Sequence, residues 1–143
     1  MTTVAQLLAL KGDEVISVSP STMVYSAIEL MADRNVGALA VMEDDRLVGI
    51  FTERDYARKV ILKGKASPTT TVLEVMSENP ICVYPTHTVE QCMALMTEKT
   101  FRHLPVLQDN KMVGMISIGD LVKSIIKEQE FIIDQLAHYI QGA

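Results

Sequence analysis

The stretch VISVSPSTMVYSAIELMADRNVGALAVMEDDRLVGIFTERDY at residues 15–56 recurs at residues 80–121 as PICVYPTHTVEQCMALMTEKTFRHLPVLQDNKMVGMISIGDL. A shift of 65 positions aligns the two stretches without a gap and gives twelve identical pairs. Self-similarity of this length indicates one supersecondary unit that is built twice. The identical pairs are Ile16/Ile81, Val18/Val83, Pro20/Pro85, Val24/Val89, Leu30/Leu95, Met31/Met96, Leu39/Leu104, Val41/Val106, Asp44/Asp109, Val48/Val113, Gly49/Gly114 and Asp55/Asp120.

The segments that precede the two repeats also match each other. Residues 3–8, TVAQLL, resemble residues 71–76, TVLEVM, but at a shift of 68 positions. We call these two stretches the lead-in segments. The stretch between lead-in segment and repeat is therefore three residues longer in the first copy than in the second.

Each repeat begins with the same change of hydrophobic period. Residues 15–18 and 81–84 are short β-branched runs, each soon followed by a proline, which predicts a strand. Apolar residues then recur at spacings of three and four in residues 24–31 and 89–96. That spacing predicts an amphipathic helix with one buried face.

Each repeat continues with two further apolar runs. Residues 38–42 and 46–51 in the first repeat, and 103–107 and 111–116 in the second, are separated by short turns that contain Asp or Asn. Such turns predict β-hairpins. A second helix is predicted after each hairpin, from about residue 53 to residue 62 in the first repeat.

These patterns predict an α/β (α+β) fold of two tandem βαββα repeats. A single unit leaves one face of its three-stranded sheet uncovered, so we expect the repeats to pack face to face with approximate two-fold symmetry and a ligand-sized cleft between them. The expected division is residues 1–64 for the first repeat with its lead-in helix and 65–71 for a linker. Residues 72–127 form the second repeat, and 128–143 extend the C-terminal helix.

Composition narrows the class of protein. The chain has 143 residues, of which 48% are hydrophobic and 22% charged, which suffices for one core without disulfides. A formal charge of −5 argues against general binding of nucleic acid. The sequence predicts no membrane span and no secretion signal, so we expect a cytoplasmic protein. Cys82 and Cys92 are interpreted as two reduced core thiols rather than metal ligands.

The turn from hairpin to second helix carries the candidate chemistry. It reads GIFTERD at residues 49–55 and GMISIGD at residues 114–120. One interpretation is a helix-capping box, in which the hydroxyl of Thr52 or Ser117 and the carboxylate three residues later cap the new helix. The other is a ribose-phosphate site, because a helix N-terminus attracts phosphate and a carboxylate accepts both ribose hydroxyls.

This doubled unit, with G-h-h-h-[ST]-x-x-D at each turn, resembles the CBS-domain pair, also called a Bateman module, in its stand-alone bacterial form. The resemblance implies a regulatory fold that binds an adenine nucleotide, AMP, ATP or NAD, between the repeats. It implies that Asp55 and Asp120 hold ribose hydroxyls and that Thr52 and Ser117 contact ribose or phosphate. The implied adenine contacts are Ile16, Val18, Thr22, Val36, Gly37 and Ala38 in one site, and Ile81, Val83, His87, Phe101, Arg102, His103, Leu104 and Pro105 in the other; Ile116 is a further ligand-binding residue.

Basic residues near these turns are candidate phosphate ligands. Arg54, Arg58 and Lys59 follow the first motif, and Arg102 and His103 begin the second hairpin. The alternative for each is ordinary solvated surface charge. Clustering beside two ribose-phosphate motifs in an acidic protein favours a phosphate role for Arg54 and Arg102.

The C-terminal helix is predicted to continue beyond the repeat. Its apolar stripe of about five turns passes through Ile125, Ile132, Ile133, Leu136 and Ile140. Packing on its own domain is one explanation. A homodimer in which this helix meets a partner helix is the preferred one.

Three classes of function follow. A nucleotide-responsive regulatory module that signals to a protein partner, whose identity the sequence does not give, is preferred. A ligand-free dimerising scaffold, in which the motifs act only as caps, is the alternative. An enzyme is disfavoured because no nucleophile with its base, metal cluster or P-loop is visible in the sequence.

Overall fold

A computed structural model of the chain describes residues 1–142. Helices and strands alternate in the same order in the two repeats, and a long helix ends the chain. The elements are α1 Val4–Lys11, β1 Ser17–Val18, α2 Val24–Arg34, β2 Ala38–Glu43, β3 Arg46–Thr52, α3 Glu53–Asp55, a π-helix Tyr56–Ile61, a 3-10 helix Ser67–Thr69, α4 Val72–Val75, β4 Ser77–Glu78, α5 Val89–Lys99, β5 His103–Gln108, β6 Lys111–Ser117 and α6 Ile118–Ile140.

The two predicted hairpins are confirmed. Strands β2 and β3 pair antiparallel, as do β5 and β6, and each pairing shifts register once near its middle. Asp44, Asp45, Asp109 and Asn110 all adopt positive φ. Two consecutive left-handed residues give the turn whose twist matches that of the strands, and Asp and Asn tolerate this conformation.

The first strand of the second repeat is shorter than the sequence predicted. Residues 81–84 form no strand, and only Val83 bridges β5, in parallel with Val106. In the first repeat the Ala40 amide donates to the Ile16 carbonyl at 3.1 Å, next to β1. The equivalent residue in the second repeat is Pro105, which has no amide hydrogen to donate. The strand is therefore reduced to a bridge.

The second helix of the first repeat also differs from the prediction. Instead of one regular helix over residues 53–62, the single turn α3 passes directly into the π-helix Tyr56–Ile61. The linker likewise contains the 3-10 helix Ser67–Thr69, and beyond it Thr70 is buried with its hydroxyl donating to the Ala66 carbonyl at 2.8 Å.

The lead-in segments are exchanged between the two repeats. Helix α1 contributes Val4, Leu7 and Leu8 to the core of the second repeat. Helix α4 contributes Val72 and Val75 to the core of the first, and β4 extends the first sheet to the order β1-β2-β3-β4. The division into residues 1–64 and 72–127 follows sequence order, whereas packing joins each lead-in segment to the other repeat.

Two glycines allow this exchange. An added Cβ at Gly49 in β3 would lie 2.6 Å from the Met76 sulfur and 2.9 Å from the Ser77 carbonyl oxygen. At Gly114, the equivalent residue in β6, it would lie 2.6 Å from a terminal carbon of Leu8. Each lead-in segment therefore presses on a strand at a position that has no room for a side chain.

Within residues 1–142, no helix is both long enough and apolar enough to cross a membrane.

We expect Gly49→Ala to lower the free energy of unfolding by about 1–3 kcal/mol, because a backbone oxygen stands where the methyl group must go. Gly114→Ala should cost less, because the end of the Leu8 side chain can rotate away. Gly119→Ala is the control: its methyl group would meet only the Ser117 hydroxyl, at 3.6 Å. It should raise stability by about 0.5–1 kcal/mol, as alanine does within a helix. Urea denaturation measures all three, and a Gly49→Ala protein as stable as the parent would contradict the packing.

Candidate functional site

Both motif turns form capping boxes. The Thr52 hydroxyl accepts from the Asp55 amide at 3.1 Å while Asp55 accepts from the Thr52 amide at 3.0 Å. Ser117 and Asp120 repeat this pairing at 3.2 and 2.8 Å. The capping interpretation is therefore confirmed as local geometry. The two carboxylates differ in what else they contact, and that difference determines what each can bind.

Asp55 is closed off from solvent. Its residue surface is 6% exposed. One carboxylate oxygen accepts from Thr52, and the other accepts from the Ser77 hydroxyl at 3.0 Å and pairs with the Lys59 ammonium at 3.1 Å. Ser77 begins β4, directly after the exchanged segment α4. A ligand would have to displace this whole set of contacts to reach Asp55.

Asp120 is held on one side only. Its Oδ2 accepts from the Ser117 amide at 2.8 Å and from the Lys11 ammonium at 2.6 Å, and its side chain is 18% exposed. Lys11 also donates to the Met115 carbonyl. Among residues 1–142 nothing hydrogen-bonds to Oδ1 of Asp120. This carboxylate therefore keeps one oxygen available beside a cation.

Burial works to raise the pKa of Asp120. The hydrogen bond from Lys11 and those from Ser117 together outweigh burial and hold the pKa below its ordinary value of 3.8. At neutral pH this group is an anion, which is the form that accepts hydrogen bonds from a pair of hydroxyls.

His103 lies where the repeats meet beside Asp120. A Cβ built on Gly37 would lie 3.4 Å from the His103 ring and 2.7 Å from the Glu53 carboxylate, so a residue larger than glycine would disturb this junction. Burial lowers the pKa of His103 from 6.5, Lys11 and Arg102 lower it further, and Asp120 opposes them. The histidine is therefore mainly neutral at pH 7 and lies among both cations and a carboxylate.

Comparison with known proteins identifies the doubled unit. The family model of the CBS domain matches residues 9–62 and, a second time, residues 72–127. The chain belongs to the CBS-domain family.

Relatives of this CBS pair occur in plants and bacteria. The mitochondrial CBS domain-containing protein CBSX3 of Arabidopsis thaliana is 44% identical over 124 residues, which are 83% of this chain and 60% of that protein. YhcV of Bacillus subtilis is 36% identical over 108 residues, 76% of each chain. A solved CBS-domain protein of Burkholderia ambifaria superposes with a TM-score of 0.86 at 50% identity, over 90% of this chain and 96% of that one. This chain thus spans less than two thirds of the plant protein.

Arg54 joins the two CBS repeats. Its guanidinium donates to the Thr100 carbonyl at 2.9 Å, at the C-terminal end of α5, where a helix favours a cation. Lys59 pairs with Asp55, as described above. Arg58 and Arg102 form no ion pair among residues 1–142 and are exposed. Of the five predicted phosphate ligands, Arg54 and Lys59 thus already have partners within the chain.

Several of the predicted adenine contacts fill the cores. Val83, Leu104 and Ile116 have no exposed surface, and Ala38 and Pro105 are buried. Their side chains belong to the packing of the two repeats, which leaves backbone groups to meet a ligand at these positions. Partly buried side chains that pack against the two cores are those of Ile16, Val18, Val36 and Ile81.

Two predicted polar contacts stabilise turns. The Thr22 hydroxyl accepts from the Ser19 amide at 3.2 Å. His87 accepts from the Tyr84 amide at 2.8 Å and stacks on the Tyr84 ring. Phe101 is 39% exposed and stands before the second hairpin, so its ring is accessible.

Two residues near the motif carboxylates were missed by the sequence reasoning. Lys11 and Ser77 both follow exchanged lead-in segments. Each contacts the motif carboxylate of the repeat on which its segment packs: Lys11 contacts Asp120, and Ser77 contacts Asp55. The shift of 68 that aligns the lead-in segments matches Ala9 with Ser77. The difference between Ala9 and Ser77 indicates that the two sites are unequal, but the alignment does not indicate that the lead-in segments are exchanged between the repeats.

The depressed pKa of His103 predicts a pH dependence of stability. Below about pH 6.5 the unfolded chain binds a proton at this residue more readily than the folded chain does. The free energy of unfolding should therefore fall as the pH decreases below about 6.5, and the contribution of His103 to stability should be fully present above that pH. His103→Gln should flatten the slope below about pH 6.5. The pKa of Asp120 is lowered from 3.8, so its contribution to stability is lost in a more acidic range. Urea denaturation at several pH values measures the slope, and parallel curves for parent and His103→Gln would contradict the assignment.

Proposed function

We propose that this CBS pair is a regulatory module that binds one adenine nucleotide per chain at Asp120 and transmits its bound state to a protein partner through a homodimer. The observation that carries the proposal is the carboxylate of Asp120, which keeps Oδ1 available next to the Lys11 ammonium at the junction of the repeats. The two hydroxyls of a ribose would bind this carboxylate. Ser117 would lie beside the first phosphate.

The contrast between the two motif carboxylates supports one site rather than two. Both oxygens of Asp55 are occupied by Thr52, Ser77 and Lys59, and the residue is buried. At Asp55 a ligand must displace both Ser77 and Lys59 from a buried carboxylate, whereas at Asp120 it must displace only Lys11 from a partly exposed one, which costs less. The nucleotide is therefore expected to prefer Asp120, although the sequence motif is the same at both turns.

The surroundings of Asp120 suit a nucleoside. His103 offers a ring and a titratable nitrogen beside Gly37, and the absence of a side chain at Gly37 leaves backbone close to the same point. A protein of the same fold, the CBS-domain pair of MJ0100, is solved with methylthioadenosine and S-adenosylmethionine at a TM-score of 0.80. At 22% identity that likeness concerns the fold alone. It agrees with a ligand of adenosine type.

Helix α6 supports the proposed dimer. The helix runs over 23 residues, of which Leu121 is buried and Ile125 packs against the second core. Beyond these, an apolar stripe of α6 is exposed, and a comparable stripe on a soluble protein marks an interface. The hexameric CBS-CP12 protein of cyanobacteria, 28% identical, is an assembly of a related module. Exposed apolar residues of this stripe are Val122, Ile126, Ile132, Ile133, Leu136, Tyr139 and Ile140.

Calorimetric titration with AMP tests the nucleotide site. Asp120→Asn should weaken binding by about 1.5–3 kcal/mol, roughly ten- to a hundredfold, because a charged acceptor of hydrogen bonds is lost. Asp55→Asn should change the affinity by less than about twofold. If that variant does not fold, Ser77→Ala is the substitute, since it leaves the first capping box intact.

Two outcomes would contradict the nucleotide proposal. An unchanged affinity of Asp120→Asn would exclude the ribose role. The absence of binding heat and of a rise in Tm with adenosine, AMP, ATP and NAD would favour the ligand-free scaffold instead, since ligands that bind the native state raise its stability.

Light scattering at micromolar concentration tests the dimer. The parent chain should have twice the mass of one chain, and Ile132→Glu with Leu136→Glu should give a monomer, because two carboxylates would be buried without partners. Leu62→Glu, an exposed apolar residue outside α6, is the control and should remain dimeric. A monomeric parent chain would contradict the role of the helix.

A further inference from the structure

A groove that opens beside Asp120 is not explained by the capping box or by the predicted nucleotide contacts. It lies between α1 and α6 and has a volume of about 580 Å³, which is within the range of small-molecule sites. Apolar side chains such as Leu7, Leu10 and Phe131 form part of its wall. Its polar lining includes three lysines, Lys11, Lys123 and Lys127.

Three ammonium groups in one groove stand out in a chain of net charge −5. Lys123 and Lys127 form no ion pair among residues 1–142, and both are exposed. The groove contains two carboxylates, Asp120 and Glu128. Three ammonium groups therefore face two carboxylates, and Asp120 keeps its negative charge when it accepts hydrogen bonds from ribose hydroxyls. The groove then has an excess of positive charge that an anion would neutralise.

The spacing along α6 gives this charge a direction. Asp120, Lys123 and Lys127 follow one another at intervals of three and four residues, so they lie on one face of the helix. With a rise of about 1.5 Å per residue, seven residues separate Asp120 from Lys127 by roughly 10 Å along the axis. A phosphate chain that continues from a ribose at Asp120 along this face would reach Lys123 first and Lys127 farther along.

We infer that the ligand of this site is a nucleoside polyphosphate whose phosphate chain lies in the α1–α6 groove on Lys11, Lys123 and Lys127. The inference rests on the proposed nucleotide site at Asp120 and assigns its specificity. When the ribose binds to Asp120, the Lys11 ammonium leaves this carboxylate and pairs with a phosphate. Lys123 and Lys127 contact the outer phosphates and so distinguish ATP and ADP from AMP.

Titration of the full chain with adenosine, AMP, ADP and ATP, without divalent cations, tests the assignment. The parent should bind ATP about tenfold or more tightly than AMP, because each added charge-assisted contact strengthens binding. Lys123→Gln combined with Lys127→Gln should bring ATP to within about twofold of AMP and leave adenosine unchanged. Lys63→Gln combined with Lys111→Gln changes the net charge equally at exposed positions outside the groove, and should keep the preference for ATP.

The outcomes separate this inference from the proposed function. If AMP binds and depends on Asp120, but ATP binds no tighter, the nucleotide site stands and the polyphosphate assignment is wrong. An equal loss of the ATP preference in the control pair would also overturn it, since the effect would then come from overall charge. Binding of inorganic tripolyphosphate as tight as that of ATP would overturn the nucleoside assignment. If neither these four ligands nor NAD binds, both proposals fall.

Discussion

The close approach of each lead-in segment to a glycine in the last strand of the other repeat is the contact on which the rest of the structure depends. Leu8 presses on Gly114 and Met76 on Gly49. These contacts complete both cores, since each core includes apolar residues from a segment that belongs, in sequence, to the other repeat. Neither repeat as written in the sequence therefore has a complete core of its own. The two repeats form one interdependent unit rather than two independent domains.

The same exchange makes two equal motifs unequal. Each lead-in segment ends beside a capping-box carboxylate, so whatever residue follows the segment decides the environment of that carboxylate. After α4 it is Ser77, which together with Lys59 occupies Asp55 fully. At the end of α1 it is Lys11, which holds one oxygen of Asp120. The Ser77 hydroxyl thus helps to occupy Asp55 fully. The long side chain of Lys11 occupies only one oxygen of Asp120, so a ligand can replace it there.

Helix α6 connects this open site to the surface that the chain leaves uncovered. Its first turn carries Asp120, its next two turns carry the lysines of the groove, and its last turns carry the exposed apolar stripe. A continuous helix is a stiff element, so a change at its N-terminal turn is carried along its length. In the proposed function, the nucleotide and the partner chain would act on the same helix from opposite ends.

The sequence by itself determined the repeat, the fold class, both hairpins and both capping boxes. Each of these depends on hydrophobic period, turn residues or contacts within four residues, and these are local properties. The loss of the strand at residues 81–84 also has its cause in the sequence. Pro105 stands where the first repeat has Ala40, and proline lacks an amide hydrogen in any structural context. Tertiary structure alone decided that the lead-in segments are exchanged, that Lys11 meets Asp120 across 109 positions and that Arg54 donates to Thr100. Gly49 and Gly114 are equivalent and offer the same space in both repeats, so which segment fills each space depends on contacts between residues far apart in the sequence, and no local pattern records these.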